Sequence, residues 1–214
     1  MDSQETERLI FERKPELIDL THKDRVFPNS DILIPGEVLG YELWEEVLKK
    51  TGETDKEFGF IISTKGNKLL KTDIKSGENH SIHFDFFPHG LDSIGANEII
   101  VAHSHPIPEK TAHIKATFPT DADIEHANGK ILSVLILDKK SVQLIASNHA
   151  GRLLQPLPDN LVDNLFEEAK LKDYDSDWIR SSIARAIHQY GLMYYISFDP
   201  KPNSDGNIQL DLVR

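Results

Sequence analysis

The sequence predicts an α/β or α+β domain built on one mixed sheet, and three observations support this fold class. Short apolar runs typical of buried strands occur both before and after amphipathic helical segments. The chain has no regular βαβ repeat, no heptad run and no low-complexity tract. Its 214 residues, 39% hydrophobic and 28% charged, have the composition of an ordinary globular protein and suffice for one well-buried core.

The first 35 residues are predicted to form an N-terminal extension packed on the core. They mix short apolar runs with Pro15, Pro28 and Pro35, and "DILIPG" indicates a brief strand that ends at the Pro-Gly pair. We place the boundary of the core domain at residues 36–158.

The core is predicted to begin with a helix from Glu37 to Lys50. In "EVLGYELWEEVLKK" the apolar residues fall near one side, acids come early and lysines come late, as the helix dipole favours. "EFGFIIST" has the length and composition of a buried strand, and "LLKTDIKS" follows the turn "KGNK" as its hairpin partner.

The middle of the core is predicted to contain two further strands and a short helix. "SIHFDFF" alternates apolar and polar residues, and "IIVAHSHP" is an apolar run that ends at two histidines. A long loop, "PIPEKTAHIKATF", leads to "DADIEHANG", a helix of at most about three turns with Thr120 as its N-cap.

The second half is predicted to add a hairpin, two helices and two closing strands. "KILSVLILD" and "SVQLIASN" flank the turn "KK". "LPDNLVDNLFEEAKLKD" and "SDWIRSSIARAIHQYG" are amphipathic helices, and "LMYYISFD" and "NIQLDLV" indicate strands. Residues 159–214 are thus predicted to pack on the core as C-terminal helices and strands.

Composition also excludes several classes of function. The net charge of -11 disfavours nonspecific binding to nucleic acid. The absence of cysteine excludes disulfides, thiolate zinc sites and cysteine nucleophiles. The charged N-terminus lacks an apolar signal region, and no window resembles a membrane span, so we expect a cytoplasmic protein without a membrane partner.

The stretch "VAHSHP" is the strongest candidate for a functional site. Alternate side chains of a strand point the same way, so His103 and His105 project from one face about 7 Å apart at the backbone. Imidazole is a good zinc ligand, and Asp123 at the next helix offers a third bond while a fourth position stays open for water. Two surface histidines at a strand end are the alternative interpretation.

This arrangement resembles the JAMM (MPN-plus, or JAB domain) zinc metalloproteases, whose motif is a glutamate, then His-Ser/Thr-His-Pro, then Ser-x-x-Asp. The resemblance covers residues 37–150 and implies a JAB/MPN, cytidine-deaminase-like mixed sheet flanked by helices. It implies that His103, His105 and Asp123 bind Zn²⁺ and that Glu57 is the general base and general acid. Thr120 stands where the family has its serine, which helps to stabilise the oxyanion.

Two departures from the family pattern leave alternatives open. Seventeen residues separate His105 from Asp123, where the family usually has about ten, so His113 or Asp121 is a rival to Asp123. Thr120 replaces serine but keeps the hydroxyl.

Other acidic and histidine side chains are weaker candidates. Glu53 is the rival to Glu57, but it belongs to the turn-like "TGETDK". His126 lies one helical turn after Asp123, where a solvated histidine is the simpler interpretation. Surface or core roles also suit the remaining histidines of this region, which are His80, His83 and His89.

The resemblance implies a zinc-dependent isopeptidase or peptidase that cuts after the C-terminal glycine of a ubiquitin-like protein. The compact 214-residue chain looks like a stand-alone bacterial, deubiquitinase-like member of this family. Such members remove ubiquitin-like tags, in some cases beside E1-like and E2-like proteins of an antiphage defence operon. The alternatives are a peptidase that processes sulfur-carrier proteins and a noncatalytic interaction module of the same fold.

Overall fold

One mixed sheet of ten strands organises the part of the chain that the structure describes. The structure is a computed structural model, and it describes residues 15–18, 27–54, 56–65, 68–77, 97–106, 117–127, 131–147 and 156–214. The predicted strand "SIHFDFF", most of the loop "PIPEKTAHIKATF", and His80, His83, His89 and His113 lie outside these residues.

The elements are numbered here in chain order. The strands are β1 (Glu16–Leu17), β2 (Ile32–Pro35), β3 (Phe58–Lys65), β4 (Lys68–Lys71), β5 (Lys75–Ser76), β6 (Asn97–Ser104), β7 (Ile131–Leu137), β8 (Ser141–Ser147), β9 (Leu192–Phe198) and β10 (Asn207–Leu212). The helices are α1 (Tyr41–Thr54), α2 (Asp121–His126), α3 (Leu161–Ala169), which a 3₁₀ turn at Lys170–Lys172 continues, and α4 (Ser176–His188).

The strand order is β1-β2-β10-β9-β8-β7-β6-β3-β4, and β5 pairs with β3 beside β4. The β1/β2 and β6/β7 pairs are parallel and the other pairs are antiparallel. A mixed sheet with helices is the fold class that the sequence predicts. Strand β2 of the predicted N-terminal extension and strands β9 and β10 of the C-terminal segment belong to this same sheet, whereas the domain boundaries at 35/36 and 158/159 stay predictions.

Alternation along the strands builds an apolar core on each face of the sheet. On one face, Trp44 and Val47 of α1 pack in a cluster with Phe60 and Ile62 of β3. Ile61, between those two strand residues, belongs to the cluster on the other face. Helix α1 therefore covers one face of the strands that surround β6.

The second face is covered by the other three described helices. Ile124 of α2, Phe166 of α3 and Ile183 of α4 are all buried in one apolar cluster with Val101 of β6 and Val134 of β7. Any side chain of β6 that points to this face is thus held between the sheet and α2. The candidate site therefore forms between β6 and α2.

Helix α1 begins at Tyr41, four residues later than the predicted start at Glu37, and continues to Thr54. Gly40 has φ +67°, a left-handed conformation that cannot propagate a helix. Residues 36–40 form a turn instead, in which the Tyr41 amide donates to the Gly36 carbonyl at 2.9 Å. The predicted lysines consequently do not occupy the last turn of the helix.

The other predicted elements that fall on described residues are present. Strands β2 to β10 and helices α2 to α4 occupy the predicted segments, although α2 has only six residues and α3 ends in a 3₁₀ turn. The linker-like "FDPKPNSDGN" connects β9 to β10, which pair antiparallel. Among the described residues, no helix is both long and apolar enough to cross a membrane.

Gly59 allows β3 to approach β6 closely opposite His103, so its replacement should destabilise the protein. A Cβ there would lie 2.4 Å from the Ala102 carbonyl oxygen and 3.0 Å from the His103 Cβ. We expect Gly59→Ala to lower the free energy of unfolding by about 1–3 kcal/mol because backbone must shift.

The matched control is Gly52→Ala in α1, where the nearest atom to the new Cβ is 4.0 Å away. Alanine favours the helix, so this variant should gain roughly 0.5–1 kcal/mol. Urea denaturation curves measure both values. A Gly59→Ala protein as stable as wild type would mean that β3 and β6 can move apart at the Gly59/His103 pair without loss of unfolding free energy.

Candidate metal centre

Strand β6 brings the two histidines to the helix-covered face of the sheet. It runs between β3 and β7, and the three residues that directly precede His103, which are Ile100, Val101 and Ala102, are buried. Ala102 belongs to the α1 side, so by alternation His103 and His105 face α2, and they are only 5% and 7% exposed. The alternative of two surface histidines is therefore wrong.

Helix α2 supplies the third group through a capping box. Thr120 is the N-cap, and its hydroxyl accepts a hydrogen bond from the Asp123 amide at 3.3 Å. In return, the Thr120 amide and hydroxyl donate to Asp123 Oδ2 at 2.7 and 2.8 Å. The capping residue thereby fixes the orientation of the buried Asp123 carboxylate.

Three potential ligand atoms converge at this point. His103 Nε2 lies 3.0 Å from His105 Nε2 and 2.9 Å from Asp123 Oδ1, and His105 Nε2 lies 3.4 Å from Asp123 Oδ2. Ligand atoms on a tetrahedral zinc, with bonds of about 2.0–2.1 Å, are separated by roughly 3.4 Å. The group of His103, His105 and Asp123 could therefore hold a metal ion.

The electrostatics of the group favour an ionised Asp123. Burial opposes ionisation, but the charges of His103 and His105 and their hydrogen bonds outweigh it and hold the pKa of the carboxyl well below its usual value. Two nitrogens and one carboxylate oxygen form a borderline donor set that suits zinc.

This pKa shift has a consequence for the stability of the metal-free protein. Because folding lowers the Asp123 pKa, the resulting stabilisation is fully present above the unfolded-chain value of about 3.9. It is lost as the pH falls through the lower folded-state pKa. The chelator-treated wild type should therefore have a higher free energy of unfolding in denaturant than Asp123→Asn, and this difference should shrink only below about pH 4. A difference that disappears between about pH 7 and pH 5 would contradict the shift.

Glu57 lies beside this group but outside the three-ligand set. It is 9% exposed and immediately precedes β3, in which Gly59 pairs with His103. Continuing this antiparallel register by two residues places Glu57 opposite His105, on the same face of the sheet. Its carbonyl accepts a hydrogen bond from the Gly77 amide at 2.8 Å, next to β5. The rival Glu53 is exposed in the last turn of α1, which covers the other face.

The rival aspartate has a different role. Asp121 Oδ1 accepts from the Val162 amide at 2.8 Å, and Oδ2 accepts from the Asp163 amide at 3.3 Å. It therefore caps the N-terminus of α3, whose own N-cap residue, Asn160, makes no side-chain cap bond. The rival His113 lies outside the described residues, and His126 is exposed.

Thr120 is exposed, and its hydroxyl is bonded to Asp123. A role in stabilising an oxyanion stays a prediction. The sequence-based inference also missed one neighbour of the site: Ser104, between the histidines, points to α1 and contacts Thr51 and Phe58. The alternation that placed the histidines on one face predicts that Ser104 lies on the other.

Comparisons with models of protein families, with curated proteins and with solved structures found no match to this chain. The resemblance to the JAMM metalloproteases therefore depends on the motif residues of the sequence alone.

Proposed function

We propose that this protein is a zinc-dependent isopeptidase or peptidase that hydrolyses the bond after the C-terminal glycine of a ubiquitin-like protein. The observation that supports this proposal best is the convergence of His103, His105 and Asp123 in a buried group. The β3/β6 register, continued by two residues beyond the Gly59/His103 pair, brings Glu57 opposite His105. Three protein ligands with an open fourth position are typical of catalytic zinc sites, whereas structural sites have four.

The residues divide into ligands and a proton carrier. His103, His105 and Asp123 would hold the ion, which when bound supplies a Lewis acid able to make water nucleophilic near neutral pH. Glu57 would accept the proton of the attacking water and pass it to the leaving amine as the C–N bond breaks. The Thr120 hydroxyl would assist only if it turns from Asp123 toward the substrate oxygen.

The edge of the sheet near Glu57 suits an extended substrate tail. Strand β5 pairs with Phe58 and Gly59 of β3, and both its residues, Lys75 and Ser76, are exposed. A glycine-ended tail could bind near Glu57 in an extended conformation through main-chain hydrogen bonds, as in β-augmentation. E1-like and E2-like proteins that conjugate the same tag are the partners we propose.

The test combines metal analysis with cleavage of a ubiquitin-like fusion. The purified protein should bind one zinc per chain, a chelator should abolish cleavage, and added zinc should restore it. His103→Ala should remove both zinc and activity, whereas His126→Ala, which changes an exposed histidine of α2, should remove neither. Cleavage that survives chelation would refute the proposal. Zinc binding with no cleavage would point to the noncatalytic interaction module instead.

A further inference from the structure

A chain of hydroxyl groups lies behind the candidate metal centre, on the α1 face of the sheet. Ser104 is fully buried and its Oγ contacts Thr51 Oγ1 of α1 through a short hydrogen bond. The same Oγ accepts from the Phe58 amide at 3.2 Å, and Thr51 Oγ1 donates to the Val47 carbonyl at 2.9 Å. The chain thus joins α1, β3 and β6 at one point.

Counting protons gives this chain a direction. Each hydroxyl carries one proton, and that of Thr51 is donated to Val47, so Ser104 donates to Thr51 and accepts from Phe58. The Phe58 carbonyl, 3.2 Å from Ser104 Oγ, is a second acceptor for the same Ser104 proton. All polar atoms of this buried link then have a partner, which makes it a rigid connection.

The link lies where Phe58 of β3 meets Ser104 of β6, next to the candidate catalytic groups. Gly59 pairs with His103, and Phe58 meets Ser104 through the serine side chain. The next step of the same register brings Glu57 opposite His105. On its other side the Glu57 backbone is held by the Gly77 amide. The Ser104 hydroxyl thus ties β3 to β6 at Phe58, the residue that directly follows Glu57.

We propose that Ser104 and Thr51 are positioning residues, which hold Glu57 in register with His105 without touching metal or substrate. The catalytic consequence rests on the function proposed above. Because general-base catalysis requires placement within a fraction of an ångström, loss of the link should impair the chemical step more than ligand binding.

The experiment compares Ser104→Ala and Thr51→Val with a rescue variant and a control. Thr51→Ser keeps the hydroxyl. Thr54→Val is the matched control because Thr54, in the same turn of α1, donates to the Lys50 carbonyl at 2.8 Å but is exposed. The measurements are zinc affinity by chelator competition, kcat and KM on a ubiquitin-like fusion, and hydrogen exchange of the Phe58 amide.

Ser104→Ala should lower kcat roughly tenfold to a hundredfold, leave KM and zinc affinity unchanged, and speed exchange of the Phe58 amide. Thr51→Val should have a smaller effect in the same direction, because Ser104 can then donate to the Phe58 carbonyl. Thr51→Ser, which keeps the hydroxyl, should have a kcat much closer to that of wild type than Thr51→Val has. Thr54→Val should match wild type.

Two results would overturn the positioning role. One is a parallel loss of zinc affinity and kcat in Ser104→Ala, which would mean that Ser104 supports the histidines rather than Glu57. The other is unchanged exchange at Phe58, whatever the activity. A wild-type protein that binds zinc but shows no cleavage would refute the proposed function alone, and the Phe58 exchange in Ser104→Ala would still decide whether the link holds β3 to β6.

Discussion

Replacement of Glu57 by glutamine is expected to lower kcat for a ubiquitin-like fusion by roughly 10²- to 10⁴-fold while zinc remains bound. Glutamine keeps the shape of the side chain and removes its ability to accept a proton. Zinc should remain because Glu57 is not among the three ligand atoms that converge. The low exposure of Glu57, 9%, also limits replacement of the lost carboxylate by bulk buffer.

Glu53→Gln is the matched control for this result. Glu53 is only four residues earlier, but it is exposed at the end of α1, on the face opposite the histidines. It should retain wild-type kcat and zinc content. If instead Glu53→Gln were the inactive variant, or if Glu57→Gln lost zinc, the assignment of Glu57 as proton carrier would be wrong.

The elements that the sequence predicts best are those whose signal is local. The apolar run before His103 and the alternation of β6 together predict both the strand and the shared face of the histidines. The start of α1 was mispredicted because the left-handed Gly40 interrupts a helical pattern that otherwise extends to Glu37. Pairing of β10 with β2 joins the two predicted terminal segments across almost the whole chain, and nothing local indicates it.

The candidate site shows the same division between local and distant information. The Thr120 and Asp123 spacing is a local capping signal, and the capping box is present. In contrast, the choice between Asp121 and Asp123 depends on the first turn of α3, where the Val162 amide, 41 residues after Asp121, donates to the Asp121 carboxylate. The sequence therefore supplied both candidates, and the packing of α2 against α3 separates them.

That separation leads to a second prediction with a large expected effect. Asp123→Asn should reduce zinc affinity by at least about a hundredfold, since replacing even a group that only hydrogen-bonds to a metal ligand costs roughly 10- to 100-fold. Asparagine keeps the size of the side chain and an oxygen for the Thr120 amide, but it removes the anionic ligand that His103 and His105 face. Cleavage of the fusion at limiting zinc should fall with the affinity.

Asp121→Asn is the complementary variant, because the two aspartates lie in the same helix and bond to different partners. Its carboxylate caps α3, so the variant should keep wild-type zinc affinity. It should lose roughly 0.3–1 kcal/mol of unfolding free energy, because asparagine keeps one acceptor oxygen but removes the negative charge at the N-terminus of α3. Chelator competition measures the zinc affinity of each variant, and urea denaturation measures its unfolding free energy. The assignment predicts that the affinity changes in Asp123→Asn and not in Asp121→Asn, where only the weaker α3 cap should be seen. A drop in zinc affinity in Asp121→Asn equal to that in Asp123→Asn would mean that the ligand carboxylate comes from Asp121 when metal binds, with α2 shifted relative to α3.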